Sequence, residues 1–247
     1  MPLYSGSSWH YSADECKANL EHGVTNLMTL YSHALDFELV KGIHWYPDAR
    51  ERAVEIANTY SLSLDESIGV AAAISPKCPW ETNMDSAEWV IRQYLSGCWI
   101  PSYADYVEKR AYLARVANLD PSKPVLAEDE RIVAPPMGGL KANVIKGLWI
   151  LQGHDCLSGP KVTDFFWCIK AWETYLGACV DSHAIQGWFG KFEGGTYGIP
   201  PNFYTLIRAD YIHAASLAGL SPLQFQAILW LIKKRMSKAL GKAGSRD

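Results

Sequence analysis

Residues 157–188 read LSGPKVTDFFWCIKAWETYLGACVDSHAIQGW, and the fold reading starts from them. Ser158 can cap, Gly159 can turn tightly and Pro160 suits the first helical position, so Lys161 falls in the opening turn of a helix. Val162, Phe165, Phe166 and Ile169 then supply one apolar face. Twenty residues after the lysine, Asp181 stands between Val180 and Ser182, where a carboxylate caps the next helix.

Outward from this stretch, helical periodicity dominates. Ser12, Asp14 and Glu15 start an apolar stripe through Leu20, Val24, Leu27, Tyr31, Ala34 and Leu35, and Pro47 opens a second through Ala49, Ala53, Ile56 and Tyr60. Ser63-Leu64-Asp65-Glu66 is a capping-box pattern leading into the apolar run Ile68 to Ile74, which reads as a buried helix. Further helices are expected over 82–95, 103–117, 140–151, 160–172, 182–189, 202–218 and 221–240. The stretch 121–139 is rich in proline, glycine and charge and reads as a long connection, and 193–201 as a second irregular one. Strand signals are few and no internal repeat occurs, so the class is all-α.

Composition sets limits. The chain has 247 residues, 49% of them hydrophobic, enough for a sizeable core without disulfides. Its six cysteines form no C-x-x-C pair and read as reduced, mostly buried thiols; Cys78 and Cys156 have no recognisable histidine partner. The seven histidines show no ligand spacing, so no metal and no cofactor are expected. No apolar run spans a membrane and the first thirty residues lack a signal-peptide succession, so a cytoplasmic protein is expected, and the size of the core suits a monomer. The net charge of -3 does not mark a nucleic-acid binder, although Lys233, Lys234, Arg235, Lys238, Lys242 and Arg246 gather near the C-terminus, where they read as a solvated helix end.

Two motifs carry a resemblance. L-S-G-P-K-V-T-D at 157–164 followed by V-D-S-H at 180–183 resembles the L-P-G-V-G-x-K-[TV]-A hairpin and V-D-x-H element of the helix-hairpin-helix DNA glycosylase superfamily, which includes endonuclease III and 8-oxoguanine DNA glycosylase. Val70-Ala71-Ala72-Ala73-Ile74-Ser75-Pro76-Lys77 with Trp80 resembles the element that fills the gap left by an extruded base, and Gly138-Gly139-Leu140 opens a helix like the one that precedes the hairpin. The resemblance spans roughly residues 65 to 235, with only the lysine and aspartate motifs specific. The hairpin is shorter than the family pattern and has one glycine where the family has two, and no cysteine follows Cys179, so no iron-sulfur cluster is expected.

The resemblance implies a two-lobed all-helical unit over 1–247, with lobes of 1–64 plus 180–247 and of 65–179 around a cleft. It implies a DNA glycosylase with associated lyase activity, acting on double-stranded DNA that carries a damaged or modified base. Lys161 is the implied nucleophile and Asp181 the catalytic carboxylate, with Gly159, His183, Lys77, Trp80, Asn83 and Trp188 as substrate or DNA contacts. Read singly, Lys161 is a helix-end lysine and Asp181 a structural cap; it is the joint occurrence of the two motifs that points to catalysis. Asp164 could contribute to the pocket but reads first as a solvated helix carboxylate. The tryptophans Trp80, Trp167, Trp188 and Trp230 are candidates for a base pocket, set against the ordinary tendency of aromatic residues to be core. The alternatives are an enzyme of the same fold that modifies bases in phage-type hypermodified DNA, and a non-catalytic DNA-binding relative.

Overall fold

The computed structural model describes residues 8–76, 78, 80–108, 131–136, 140–191 and 196–239. In chain order these form β1 (Ser8–His10), α1 (Ala13–Asn19), α2 (Gly23–Tyr31), α3 (Asp36–Tyr60), α4 (Leu64–Ile74), α5 (Trp80–Leu95), a helical segment at 103–108, α6 (Lys141–Leu151), α7 (Pro160–Lys170), α8 (Ser182–Trp188), β2 (Thr196–Gly198), α9 (Pro201–Leu217) and α10 (Pro222–Ala239). The class is mainly helical, as expected. The one departure among the described residues is a parallel ribbon in which Ser8, Trp9 and His10 pair with Thr196, Tyr197 and Gly198. Three residues per strand are too few to register as an alternating pattern.

Two compact units divide the chain: Met1–Glu51 with Gly159–Arg246, and Arg52–Ser158. The division falls earlier than 64 and 179 at both crossings. In the second unit Ser67 Oγ donates to the Ala53 carbonyl (2.9 Å), tying the end of α3 to α4. In the first, Tyr204 Oη donates to Asp164 (2.7 Å), tying α7 to α9.

The first unit packs α2, α8, α9 and α10 around Leu27, Leu30, Ile185, Trp188, Ile207, Tyr211, Phe225, Ile228 and Ile232. A Cβ on Gly42 of α3 would stand 2.9 Å from the backbone of Ile228 in α10, so only glycine permits this approach. Gly23 marks a second such place, because a Cβ there would meet the Trp188 indole at 2.0 Å. The stripe from residue 13 to 35 is therefore two helices: α2 starts at this contact, and Asn19 and Asn26 both donate to the Trp188 carbonyl (2.8 and 2.9 Å). Pro47, expected to open a helix, lies inside α3. It removes one helical N–H, a loss offset here by burial of Tyr46 and Ala49 beside it and by the Tyr46 hydroxyl's bond to Gln226 (2.9 Å).

The basic C-terminal helix is not uniformly solvated. Lys233 is 2% exposed, and Arg235 donates through Nε and Nη2 to the buried Glu38 carboxylate (2.7 and 3.1 Å). That ion pair holds the guanidinium above its ordinary range, chiefly through the hydrogen bond from its own side chain to Glu38.

In the second unit α4, α5 and α6 form the core, with Ile68, Val70, Ile74, Val90, Ile91, Ile145 and Leu148 buried. Ser63 and Glu66 close the expected capping box at the start of α4. At the edge of this core Glu88 accepts from Tyr60 (2.7 Å), Arg92 (2.6 Å) and Arg52 (2.9 Å). Among the described residues no single helix is long and apolar enough to cross a membrane.

Two outcomes follow from this packing. Gly42→Ala should lower the unfolding free energy by about 1–3 kcal/mol in urea titrations, because the α3–α10 backbones must separate; an unchanged midpoint would contradict the close approach. The Glu88 carboxyl is held below its ordinary value, first by the Tyr60 hydroxyl and then by Arg92 and Arg52. Its folded form binds a proton less readily than its unfolded form, so its contribution is complete above the ordinary carboxylate range and fades as pH falls through the lower folded value. Tyr60→Phe should therefore flatten the acid limb of a stability-against-pH curve below about pH 5 and leave the neutral slope alone.

Candidate catalytic pair at two helix openings

Gly159 sits at φ 87°, ψ 144°, left of the region that side-chain-bearing residues favour, and becomes the N-cap of α7 with Pro160 behind it. Ser158 does not cap, since its hydroxyl accepts from Lys146 Nζ (2.8 Å). Lys161 follows in the first turn, half-buried, and its carbonyl accepts from the Cys179 thiol (3.5 Å). Ala178, Cys179 and Val180 form a buried segment that leads directly to Asp181. Asp181 caps α8, accepting the Ala184 N–H on Oδ1 (2.8 Å), and is itself half-buried. The backbone at the opening of α7 is thus tied by one thiol to the segment that leads into Asp181.

The electrostatics agree with that placement. Burial pushes the Cys179 thiol well above its usual range; the Asp181 charge pushes it further, Lys161 opposes, and Asp164 adds a smaller push. Both members of the pair therefore act on the same buried sulfur. No ion pair joins Lys161 to Asp181, and among the described residues no three histidine, cysteine, aspartate or glutamate side chains converge as a metal site would need.

Asp164, read from the sequence as a solvated helix carboxylate, is instead buried one turn after Lys161. It accepts from the Tyr204 hydroxyl (2.7 Å), from Arg208 Nη1 (3.0 Å) and from the Tyr175 hydroxyl. The Tyr204 hydroxyl also accepts the Val180 N–H (3.1 Å). A continuous chain of hydrogen bonds therefore runs from the α7 opening through Asp164 and Tyr204 to the residue before Asp181. Burial raises both phenols, and their bonds to Asp164 raise them further, so Tyr175 and Tyr204 remain donors.

Around the pair lie aromatic rings. Phe165, one turn beyond Lys161, meets Trp45 edge-on at 6.3 Å, and Trp45 lies 6.3 Å from Trp230. His183, two residues past Asp181, packs edge-on against Trp230 (6.0 Å, 88°), and its Nδ1 is 3.0 Å from Lys233 Nζ.

Four of the residues expected from the sequence, Gly159, Lys161, Asp181 and His183, fall in this region. Trp188 does not serve as a contact surface: it is fully buried in the first unit's core, its indole N–H donating to Asp210 (2.7 Å). Asn83 is likewise buried, in the second unit, where its amide donates to the Ala71 carbonyl (3.1 Å). Trp80 opens α5, but its side chain and the whole of Lys77 lie outside the described residues. Burial raises the Cys156 thiol to about 11, which disfavours its thiolate at neutral pH.

Trp45 and Tyr204 are not singled out by the sequence, and Asp164 and Lys233 are read there as solvated, whereas both are buried. For Lys233 a signal existed. It stands four residues after Leu229 and beside Ile232, on the apolar stripe of α10. Asp164 gave none, because its partners Tyr175, Tyr204 and Arg208 are 11, 40 and 44 residues away.

No curated protein and no solved structure matches the chain. A family profile described as a family of unknown function (DUF7178) matches residues 11–238, a span that includes both helix openings, and the chain belongs to that family.

Proposed function

We propose that this chain is a DNA glycosylase with associated lyase activity, of the helix-hairpin-helix kind, that removes a damaged or modified base from double-stranded DNA. The observation that supports the reading is that the Cys179 thiol, two residues before Asp181, donates to the Lys161 backbone carbonyl, so the two helix openings lie side by side. The carboxylate of Asp181 keeps one oxygen on the Ala184 N–H and turns the other to the sugar. There it stabilises the positive charge that grows at C1′ as the glycosidic bond breaks. The base leaves with the bonding electron pair and takes up a proton. The free amine of Lys161 gives its lone pair to C1′ and loses a proton, and opening of the sugar ring produces an imine. Removal of a C2′ proton then expels the 3′ phosphate and nicks the strand. An extruded base needs aromatic walls, and the Trp45, Phe165 and Trp230 rings, in contact with one another, are the candidates for them.

A second reading is an enzyme of the same fold that alters a modified base without releasing it. The net charge of -3 and the single glycine of the 157–161 turn favour it, since both weaken the grip on phosphate.

Borohydride reduces the imine to a stable amine, so the test is direct. Duplexes carrying an abasic site, or one modified base each, are incubated with the protein and reduced. A covalent adduct mapping by mass to Lys161 is expected; Lys161→Ala should lose it, and Asp181→Asn should slow base release about 10²–10³-fold. An equal adduct in Lys161→Ala, or none with any duplex, overturns the glycosylase reading. Altered nucleosides without abasic sites would establish the second one.

A further inference from the structure

Arg235 and Arg208 both meet a buried carboxylate, and they meet it differently. Arg235 grips Glu38 through two nitrogens, Nε and Nη2, and gives a further bond to the His33 carbonyl. Arg208 gives Asp164 one bond, from Nη1 to Oδ1 at 3.0 Å. A guanidinium carries five N–H donors in a planar fork that matches the paired oxygens of a carboxylate or a phosphate. Asp164 needs no second bond from it, because the Tyr175 and Tyr204 hydroxyls donate to the same carboxylate. The Arg208 side chain is 37% exposed and that of Asp164 only 5%, so a buried anchor holds a guanidinium that reaches water. The anchor also fixes its place. Asp164 lies one turn after Lys161 on α7, and through Tyr204 it is bonded to Val180, the residue before Asp181. Residues three apart on a helix are neighbours, so α9 brings a cation to the opening turns of α7.

We propose that Arg208 is an anion-binding residue that presents its outward N–H donors to a phosphate of the DNA strand beside the nucleotide held at Lys161 and Asp181. That the phosphate belongs to DNA rests on the glycosylase reading; that Arg208 takes a phosphate does not. The single glycine of the 157–161 turn weakens the amide grip on phosphate, and a side-chain fork from α9 supplies another. Asp164 holds that fork before the strand arrives, so little side-chain freedom is lost on binding.

Two measurements decide it. In protein labelled with ¹⁵N-arginine, the Arg208 Nε–H signal is assigned by its disappearance in Arg208→Lys. Inorganic phosphate should shift that signal saturably, and chloride at equal ionic strength should not. An unmoved signal overturns the proposal. Affinity for a duplex with a tetrahydrofuran abasic analogue is then read over a range of salt concentrations. Arg208→Met should weaken it about tenfold and lower the salt slope by about one. Arg208→Lys, which keeps the charge but loses the fork, should weaken it about threefold with the slope unchanged. Arg208→Met also strips Asp164 of its countercharge, so if it does not fold, Arg208→Lys alone decides. If phosphate shifts the Arg208 signal but the duplex does not bind, the DNA reading falls and the anion site stands. Equal duplex affinity in the wild type and in every variant that folds overturns the Arg208 assignment.

Discussion

The buried carboxylate of Asp164 is the point to which the arrangement of the first unit is tied. A charged oxygen pair removed from water costs several kcal/mol unless hydrogen bonds replace the lost solvent. Tyr175, Tyr204 and Arg208 supply three donors, and Arg208 also balances the charge. Tyr204 makes the contact directional, since one hydroxyl gives its proton to Asp164 and takes the N–H of Val180. The segment 178–181 is thereby fastened to the helix that bears Lys161, by the Cys179 thiol at one residue and the Tyr204 hydroxyl at the next. Both fastenings are buried, where a lost partner leaves a polar group without water.

The C-terminal helix depends on the same economy of buried charge. Its basic residues look alike in the sequence but have separate fates. Lys233 faces inward to His183, Lys234 lies over the Trp230 ring, and Arg235 grips a glutamate that is wholly buried. Arg235 also donates to the His33 carbonyl, so a single guanidinium joins α10 to the turn before α3 and to the first turn of α3. A run of positive charge is therefore a poor guide to a basic surface. The helical register, and not the local charge, decides which side chains meet water.

Much of the fold was legible because helices state themselves locally. The Ser63/Glu66 box, the Asp181 cap and the glycine before Pro160 depend on residues within a few positions of each other, and they stand where the sequence put them. What was illegible depends on distant partners. The break between α1 and α2 is set by Trp188, some 165 residues away, which needs the space at Gly23. Pro47 reads as a helix start by propensity but is carried through α3 by packing on both sides. The β1–β2 ribbon joins residues from near the two ends of the chain, and nothing in either triplet announces the other. At the site the same rule holds: the lysine and aspartate were visible through motif spacing, while Asp164, Tyr204 and Lys233 are defined only by what folds against them. Trp188 and Asn83 show the opposite error: read as contacts, both are buried, the indole donating to Asp210 and the Asn83 amide N–H to the Ala71 carbonyl.

Asp181 invites two descriptions, structural cap and catalytic carboxylate, and the geometry makes them compatible. A cap is worth about 1 kcal/mol of helix stability and fixes one carboxylate oxygen against a backbone N–H. That bond also sets the direction of the second oxygen, which is the condition for electrostatic stabilisation of a charge that exists only in the transition state. A carboxylate free to rotate would have to be oriented during the reaction, at a cost in rate; one already held by Ala184 is not. Gly159 stands in the same relation to Lys161. Its left-handed backbone shapes the turn, and the turn sets where the first residues of α7 begin. Under the glycosylase proposal, local structure and chemistry use the same two bends of the chain, and substitutions at either bend act on both.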